Sequence, residues 1–255
     1  MEPPDSRKLH LKKTHSPVAI SSRLDSGPDY SYLKDFIYGA IDGAVTTFAV
    51  VSGVAGAGLS SGIIIVLGVA NLIADGFSMA VSNFLGTRAE GQLRERTRAE
   101  EHAHIKLIPE GEREEIRQIF SRKGFSGDAL ERVVEVITSD PKRWADTMVQ
   151  EEHGMSLTGP NPWKAASATF AAFVVIGAIP LLAFLWNGLF QPSLPYPFIS
   201  SATLTGLAFF CVGALKGRYV GQRWITSGLE TLLIGGGAAM LAYLIGLGLK
   251  GFADV

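Results

Sequence analysis

The fold is decided by two neighbouring apolar stretches, FIYGAIDGAVTTFAVVSGVAG at residues 36–56 and GIIIVLGVANLIADGFSMAVSNFL at residues 62–85. Each is long enough to cross the hydrocarbon core of a bilayer as a helix, which takes about 20 predominantly apolar residues. Each also contains a carboxylate, Asp42 in the first stretch and Asp75 in the second. An ionisable side chain inside a bilayer is costly and usually faces an ion pathway. The two stretches therefore predict a membrane transporter.

Three further apolar segments, at residues 165–186, 198–216 and 227–249, approach the same length. We therefore predict an all-α, polytopic membrane protein with five transmembrane helices. A charged stretch separates the second span from the third and predicts a small helical domain inserted there. The expected organisation is a disordered cytosolic tail at 1–34, spans 1 and 2 at 35–89, the inserted cytosolic domain at 90–162, and spans 3 to 5 at 163–255.

The distribution of Lys and Arg predicts the orientation. Residues 1–35 hold six of them, residues 86–164 hold thirteen and residues 216–226 hold three, whereas the connections 57–61 and 187–197 hold none. Because positive charge favours the cytosolic side, the N-terminus and the inserted domain are expected in the cytosol. The first 34 residues contain no apolar signal segment and no evident organellar signal. A bacterial cell membrane is therefore the favoured location, or a vacuolar membrane if the chain is eukaryotic.

The overall composition limits the possible metal ligands more than the possible partners. The chain has 23 Lys and Arg against 24 Asp and Glu, for a formal net charge of −1, which says little about partners because it averages charged and apolar segments. A nucleic-acid partner is not expected. Its single cysteine, Cys211, leaves no disulfide framework and no cysteine-based metal site. Any metal ligands must therefore come from carboxylate, amide, imidazole or thioether groups.

The second apolar stretch carries one stripe of possible ligands. Asn71, Asp75 and Met79 are spaced four residues apart, which places them on one face of a helix. Oxygen ligands suit hard cations and a thioether suits softer ones, so the mixture favours a borderline divalent ion such as Fe²⁺. Asp42 on the neighbouring span would supply a second carboxylate. A structural alternative is that Met79 only fills the core and Asp75 only hydrogen-bonds between helices.

The charged insertion is expected to be helical throughout. No helix-breaking residue occurs between Gly91 and Ile108, so the second span is expected to continue to Pro109. Further helices are expected from about Glu112, over residues 127–138, and from the Asp140-Pro141 pair, which suits a helix start.

Several acids of the insertion lie in line with apolar residues and are therefore expected to extend buried helix faces. Glu112 and Glu115 come four residues before Ile116 and Ile119, and Glu152 comes four residues after Met148. Glu101 and His104 share a face of the extended second helix. Clustered carboxylates repel one another unless protons or cations neutralise them, which favours a polynuclear divalent-metal site. Ion pairing with the interleaved basic residues is the competing interpretation.

Three motifs resemble the vacuolar iron transporter (VIT) family, in a prokaryotic-type member. They are DFIYGAIDGAVTTFAVVSGVAG at 35–56, NLIADGFSMAVSNFLGTRAE at 71–90, and WADTMVQEEHGMSL at 144–157. The resemblance implies a five-span homodimer in which a proton gradient drives Fe²⁺, and often Mn²⁺, out of the cytosol. It also implies that the inserted domain collects metal and feeds a path between the protomers.

The resemblance also assigns residues. Asp42 and Met79 match the membrane-path acid and methionine of the family, while the cytosolic ligands are matched by Glu101, Glu112, Glu115, Met148 and Glu152. Two positions depart from the family pattern: Asn71 and His104 each stand where better-studied members place a glutamate. Asp75, one helical turn from Asn71, could supply the missing charge.

These inferences together predict a proton-coupled transporter of Fe²⁺, with a Mn²⁺-preferring exporter as an alternative. Co²⁺ and Zn²⁺ are further candidate substrates and bound ions, and no prosthetic group or enzymatic activity is expected. Asp42, Asn71, Asp75 and Met79 would form the path, and Glu101, His104, Glu112, Glu115, Met148 and Glu152 the cytosolic site. A membrane-tethered di-iron ferroxidase or iron-storage module is the alternative from another class, because Glu101 and His104 form the Glu-x-x-His pair of di-iron carboxylate proteins.

Overall fold

The computed structural model describes Lys8, residues 11–26 and residues 30–253. Within these residues the regular structure is helical and contains no strand. The helices are α1 (Pro17–Ser26), α2 (Leu33–Gly56), α3 (Ser61–Leu107), α4 (Pro109–Arg122), α5 (Gly127–Thr138), α6 (Pro141–Glu151), α7 (Pro162–Gly177), a 3₁₀ turn (Ile179–Leu181), α8 (Leu182–Leu189), α9 (Pro197–Tyr219), α10 (Trp224–Gly248) and α11 (Lys250–Ala253).

Five helical stretches are long and apolar enough to cross a membrane: α2, α3, the pair α7 and α8, α9, and α10. The prediction of an all-α protein with five membrane spans is confirmed.

The chain divides into two compact units. We call Tyr32–Leu93 with Pro160–Val255 the membrane unit, and Met1–Ser31 with Arg94–Gly159 the polar unit.

Helix α2 lies at the centre of the membrane unit and packs against α7, α9 and α10. Glycines allow this close approach, because a Cβ atom added at Gly39 would lie 2.3 Å from the carbonyl oxygen of Thr169. One added at Gly43 would lie 2.5 Å from the carbonyl oxygen of Phe173. Backbones can come this near each other only where the side chain is absent. The glycines on either side of Asp42 therefore fix α2 against α7.

Substituting Gly43 with alanine should destabilise the membrane unit by about 1–3 kcal/mol, the usual cost of forcing extra volume into a packed core. Gly236→Ala is the matched control, since nothing lies within 4 Å of a Cβ atom added there. The control should leave stability unchanged or raise it by about 1 kcal/mol at most, through its better helix propensity. Thermal unfolding of the purified protein in detergent measures both changes. Equal unfolding temperatures for Gly43→Ala and the parent chain would contradict the packing described.

The third span is interrupted at a proline. Helix α7 ends at Gly177, the 3₁₀ turn contains Pro180, and α8 continues the span. The hydroxyl of Ser201 donates a 2.6 Å hydrogen bond to the carbonyl oxygen of Pro180. This bond satisfies a carbonyl group at the interruption, which apolar surroundings would otherwise leave without a donor.

The polar unit is built from the end of α3 and from α4, α5 and α6, around a core that contains Ile116, Trp144 and Met148. Helix α5 has the bounds that the sequence predicts, and α4 begins at Pro109, three residues before the expected start. Asp140 caps α6, because its carboxylate accepts hydrogen bonds from the backbone amides at 142 and 143. An exposed ion pair between Arg117 and Glu131 links α4 to α5. Residues that favour helix starts and caps, together with apolar residues on one face of each helix, therefore account for this small helical bundle.

The prediction of a disordered tail over residues 1–34 is wrong where the structure describes that segment. Pro17–Ser26 forms α1, and α2 begins at Leu33. Two local features favour the start of α1: proline suits the first helical position, and the Ser16 hydroxyl accepts a hydrogen bond from the amide of Ala19. Part of the predicted tail lies outside the described residues.

Candidate metal centres

Two buried carboxylates form the centre of a cluster in the polar unit. Glu101, near the end of α3, is 2% exposed, and Glu112, in the first turn of α4, is 3% exposed. His104 lies near both, with its Nδ1 atom 3.9 Å from Oε1 of Glu101 and 3.6 Å from Oε1 of Glu112. The short turn between α3 and α4 thus brings together residues that are eight to eleven positions apart.

A second imidazole reaches Glu101 from the end of α6. His153 Nε2 lies 2.9 Å from Oε1 of Glu101 and 3.7 Å from Oε2 of Glu152. The helix ends here because Gly154 adopts a left-handed conformation, with φ of 64°, which reverses the chain. Glu152 and His153 therefore lie in the turn that follows α6. Two sets of three possible ligands result, both of which include Glu101: one with Glu152 and His153, the other with His104 and Glu112.

The electrostatics of the cluster favour neutralisation. Burial, and then the charges of Glu115 and Glu101, raises the pKa of Glu112 from its ordinary 4.5 to about 7. Burial first, and then Glu115, also raises the pKa of Glu152. The hydrogen bond to Glu101 raises the pKa of His153. Without a metal ion these three groups therefore hold protons more tightly than they would in water, and a divalent cation could replace the protons.

These shifts set the pH dependence of stability in the metal-free protein. Between pH 4.5 and 7 the folded chain binds a proton at Glu112 that the unfolded chain has released, so the free energy of unfolding should fall as pH rises. The loss should be on the order of 3 kcal/mol, because each pKa unit corresponds to about 1.4 kcal/mol. His153 acts in the same direction above its ordinary pKa. Saturating Mn²⁺ should reverse the trend by replacing the protons.

Hydrogen exchange at the amides of α4, followed from pH 5 to pH 8 with the intrinsic pH dependence of exchange subtracted, measures this change. Glu112→Gln is the matched control, since it keeps the shape and removes the titrating group, and it should flatten the curve. Stability that rises over this interval in the metal-free parent chain would contradict the assignment.

The remaining predicted ligands of the polar unit are placed differently. Glu115 is exposed, so the prediction that it continues a buried stripe is wrong, although its charge acts on both Glu112 and Glu152. The same prediction is wrong for Glu152, which is exposed at the rim of the cluster. Met148 is fully buried and packs in the core with Ile116 and Trp144. The carboxylates therefore surround a partly open site, and the methionine lies in the apolar core.

Within the membrane unit, the charge of one intramembrane acid acts on the other. Asp42 is half-buried on α2, and among the described residues Asp75 is the charged group whose field acts on it. Asp75 is exposed on α3. The amide nitrogen of half-buried Asn71, one turn earlier, has no hydrogen-bond partner in the described part of the chain. Asn71 and Asp75 thus lie one helical turn apart on α3, and Asp42 lies on α2.

Met79 lines a cavity of about 340 Å³ in the membrane unit. The cavity is also bordered by Asp35, Tyr38 and Asn83. The amide of Asn83 donates one 2.8 Å hydrogen bond to the carboxylate of Asp35 and another of 2.8 Å to the hydroxyl of Thr169. The first of these bonds orients the Asp35 carboxylate. Sequence reasoning missed Asp35, because it lies just outside the apolar stretch and resembles an ordinary residue of a helix start.

A third acid at membrane depth, Glu230 on α10, has a partner. Its carboxylate lies 3.2 Å from the ammonium group of Lys216 on α9. Both side chains are partly exposed, at 56% and 31%. An ion pair of this kind explains Glu230 without an ion pathway.

Five membrane helices, carboxylates inside them and a separate carboxylate and imidazole cluster define a polytopic membrane protein of the metal-transporter class. A family model described as the VIT family matches residues 33–247. The chain therefore belongs to the VIT family, and the resemblance noted in the sequence is confirmed.

Curated relatives cover most of this chain. It is 31% identical over 221 residues to a vacuolar iron transporter of Toxoplasma gondii, a match that covers 84% of this chain and 73% of that protein. It is 30% identical over 216 residues to vacuolar iron transporter 1 of Arabidopsis thaliana, with 84% of each chain covered. A vacuolar iron transporter of Centaurea cyanus is 31% identical over 214 residues, with 83% of this chain and 85% of that protein covered.

Proposed function

We propose that this chain exchanges divalent transition-metal ions, with Fe²⁺ as the main cargo and Mn²⁺ as a second, for protons across a membrane. The ions move out of the cytosol. The observation that carries the proposal is the pair Asp42 and Asp75, two carboxylates on membrane-spanning helices, with the charge of Asp75 acting on Asp42. Two like charges in such a place are stable only when a proton or a cation neutralises them.

Competition between protons and metal at these acids supplies the coupling. A carboxylate must lose its proton to bind a metal ion, so each ion bound displaces protons and each proton bound displaces metal. Met79 adds a thioether that favours borderline ions over Mg²⁺ and Ca²⁺. The names of the curated relatives, which describe iron transporters, support Fe²⁺ as the cargo.

The working unit would be a homodimer. One side of α3 packs within the membrane unit, where Gly68 and Gly76 meet side chains of other helices. Another side exposes Ile73 and Phe77, at 51% and 64%, together with Asp75. A carboxylate on an apolar face that contacted lipid would be costly. A second copy of the chain would cover this face and enclose Asp75 in a path between protomers.

The polar unit would collect the cargo on the cytosolic side. Its cytosolic location is supported by the thirteen Lys and Arg of residues 86–164. Its buried carboxylates bind cations at low concentration and so raise the local supply of metal. Glu101, which would collect metal, and Asp75, which would line the transport path, both belong to the continuous helix α3.

Transport into proteoliposomes with an imposed pH gradient tests the function. Uptake of Fe²⁺, Mn²⁺, Co²⁺ and Zn²⁺ should depend on the gradient, with Fe²⁺ fastest, and should collapse when a protonophore dissipates the gradient.

A second candidate, ferroxidase activity, is favoured by one observation: His153 adds a second imidazole beside Glu101. Oxygen consumption on addition of Fe²⁺, without metal uptake, would support the ferroxidase and reject the transporter.

A further inference from the structure

Two imidazoles approach one buried carboxylate from different elements of the polar unit. His104 comes from α3 and His153 from the segment that follows α6, and both have a ring nitrogen near Oε1 of Glu101. Each imidazole also has its own carboxylate neighbour, Glu112 for His104 and Glu152 for His153. The cluster thus has two halves of the same composition that share Glu101.

We propose that His153 is a metal ligand and that Glu101 bridges two neighbouring cation positions, each completed by one imidazole and one further carboxylate. One position has Glu112 and His104 as its other ligands, and the second has Glu152 and His153. This proposal deepens the proposed function, because it rests on the polar unit being the metal-collecting site and specifies which ions that site selects.

The distances between the donor atoms suit shared ions. Two ligand atoms that each lie about 2.1 Å from one ion, at octahedral or tetrahedral angles, are about 3.0–3.4 Å apart. The separation of Glu101 and His153 is 2.9 Å, and the pairs His104–Glu112 and His153–Glu152 are separated by 3.6 and 3.7 Å. The fourth pair, His104 and Glu101, is separated by 3.9 Å. Small side-chain rotations would bring each group into contact with an ion.

A second observation is independent of these distances. The Oε2 atoms of Glu101 and Glu112 are fully buried and have no hydrogen-bond partner among the described residues. A buried, unpartnered carboxylate oxygen is costly, and folded proteins normally provide a donor for it. An ion bound between the two glutamates would satisfy both oxygens, whereas an ordinary ion pair with the histidines leaves them unsatisfied.

The imidazoles determine which ions are preferred. Sites made only of carboxylates suit Mg²⁺, Ca²⁺ and Mn²⁺, whereas imidazole suits Fe²⁺, Co²⁺ and Zn²⁺. With one nitrogen ligand at each position, the cluster selects the second group of ions over the first. His153 is therefore a determinant of specificity.

The competing explanation is that His153 only orients Glu101 through a hydrogen bond. His153→Gln separates the two, because a glutamine amide can still donate to Glu101 but replaces the imidazole as a ligand poorly. The matched control is His102→Gln, which changes the residue next to Glu101 that lies outside both sets of ligands. The unfolding temperature in EDTA verifies that each variant folds.

The experiment titrates the full chain, purified in detergent and freed of metal, with Co²⁺ and with Mn²⁺. We expect His153→Gln to weaken Co²⁺ binding at least about tenfold and Mn²⁺ binding less than about threefold, while His102→Gln resembles the parent chain. X-ray absorption of the Zn²⁺-loaded protein should show imidazole ligation that is halved in His153→Gln. Parent-like Co²⁺ affinity, or unchanged imidazole ligation, in His153→Gln would overturn the proposal.

The outcome is separate from that of the proposed function. If the parent chain transports metal but His153→Gln keeps the parent's ion preference, the ligand assignment fails and the transporter stands. If the parent chain binds two ions with imidazole ligation but moves no metal across a membrane, the transporter fails and the ligand assignment stands.

Discussion

Asp42→Asn is expected to reduce metal transport to near the level of empty liposomes. Asparagine keeps the shape of the side chain and can still hydrogen-bond, so the glycine-mediated packing of α2 against α7 should persist. What disappears is the charge that would bind the cation and exchange it for a proton. Initial rates of Fe²⁺ uptake, driven by a pH gradient in proteoliposomes, measure the loss.

The matched control is Glu230→Gln, another neutralised acid at membrane depth. Glu230 is paired with Lys216 at 3.2 Å, and nothing in the proposed path requires it. It should therefore retain most of the parent rate. Size-exclusion chromatography should show the same assembly for all three proteins. Parent-like uptake by Asp42→Asn would remove Asp42 from the path and remove the main support for the proposed function.

The two membrane acids lie on helices with different surroundings. Helix α2 is held between α7 and α10 by backbone contacts at its glycines, so Asp42 has a fixed position. Helix α3 has a large exposed apolar surface, and Asp75 lies on its exposed side. The packing within the chain therefore fixes Asp42. The surroundings of Asp75 depend on what covers α3. This difference favours a path that a second copy completes.

Much of the fold could be predicted because it follows from local rules. The continuation of α3 to Leu107 was predictable from the lack of a breaker before Pro109, and the interruption of the third span from Pro180. The bounds of α5 and the cap at Asp140 follow from residue preferences at helix ends. Such features depend on neighbours within a few positions, so the sequence alone contains them.

The candidate site was less predictable, because it depends on how separate helices meet. The spacing of Glu112 indicated a buried acid, which is confirmed, but the same reasoning failed for Glu115, which is exposed. His153 carries no periodic signal. Its proximity to Glu101, 52 positions away, arises from the turn at Gly154 and the packing of α6. The sequence clue that could have indicated it is the order Glu-His-Gly at a predicted helix end.

Asp75→Asn, alone and combined with Asn71→Glu, tests whether Asp75 supplies the carboxylate of the proposed path. The family resemblance places that carboxylate one helical turn earlier, at position 71. It implies a glutamate where this chain has Asn71, and Asn71 is half-buried with an amide nitrogen that has no hydrogen-bond partner among the described residues. If Asp75 supplies the missing charge, Asp75→Asn should lower gradient-driven uptake to background. Adding Asn71→Glu should then restore part of it, on the order of a tenth of the parent rate or more, because the two positions share a helix face.

The opposite result is equally definite. If Asp75 only ties helices together, asparagine can still hydrogen-bond, so the single variant should transport at nearly the parent rate. Asn71→Glu would then add a buried charge and lower both stability and uptake. The informative comparison is the double variant against both single variants, measured with Fe²⁺ at two imposed pH gradients. Recovery in the double variant that grows with the gradient indicates that the introduced carboxylate couples protons, which a purely structural role for this face would not produce.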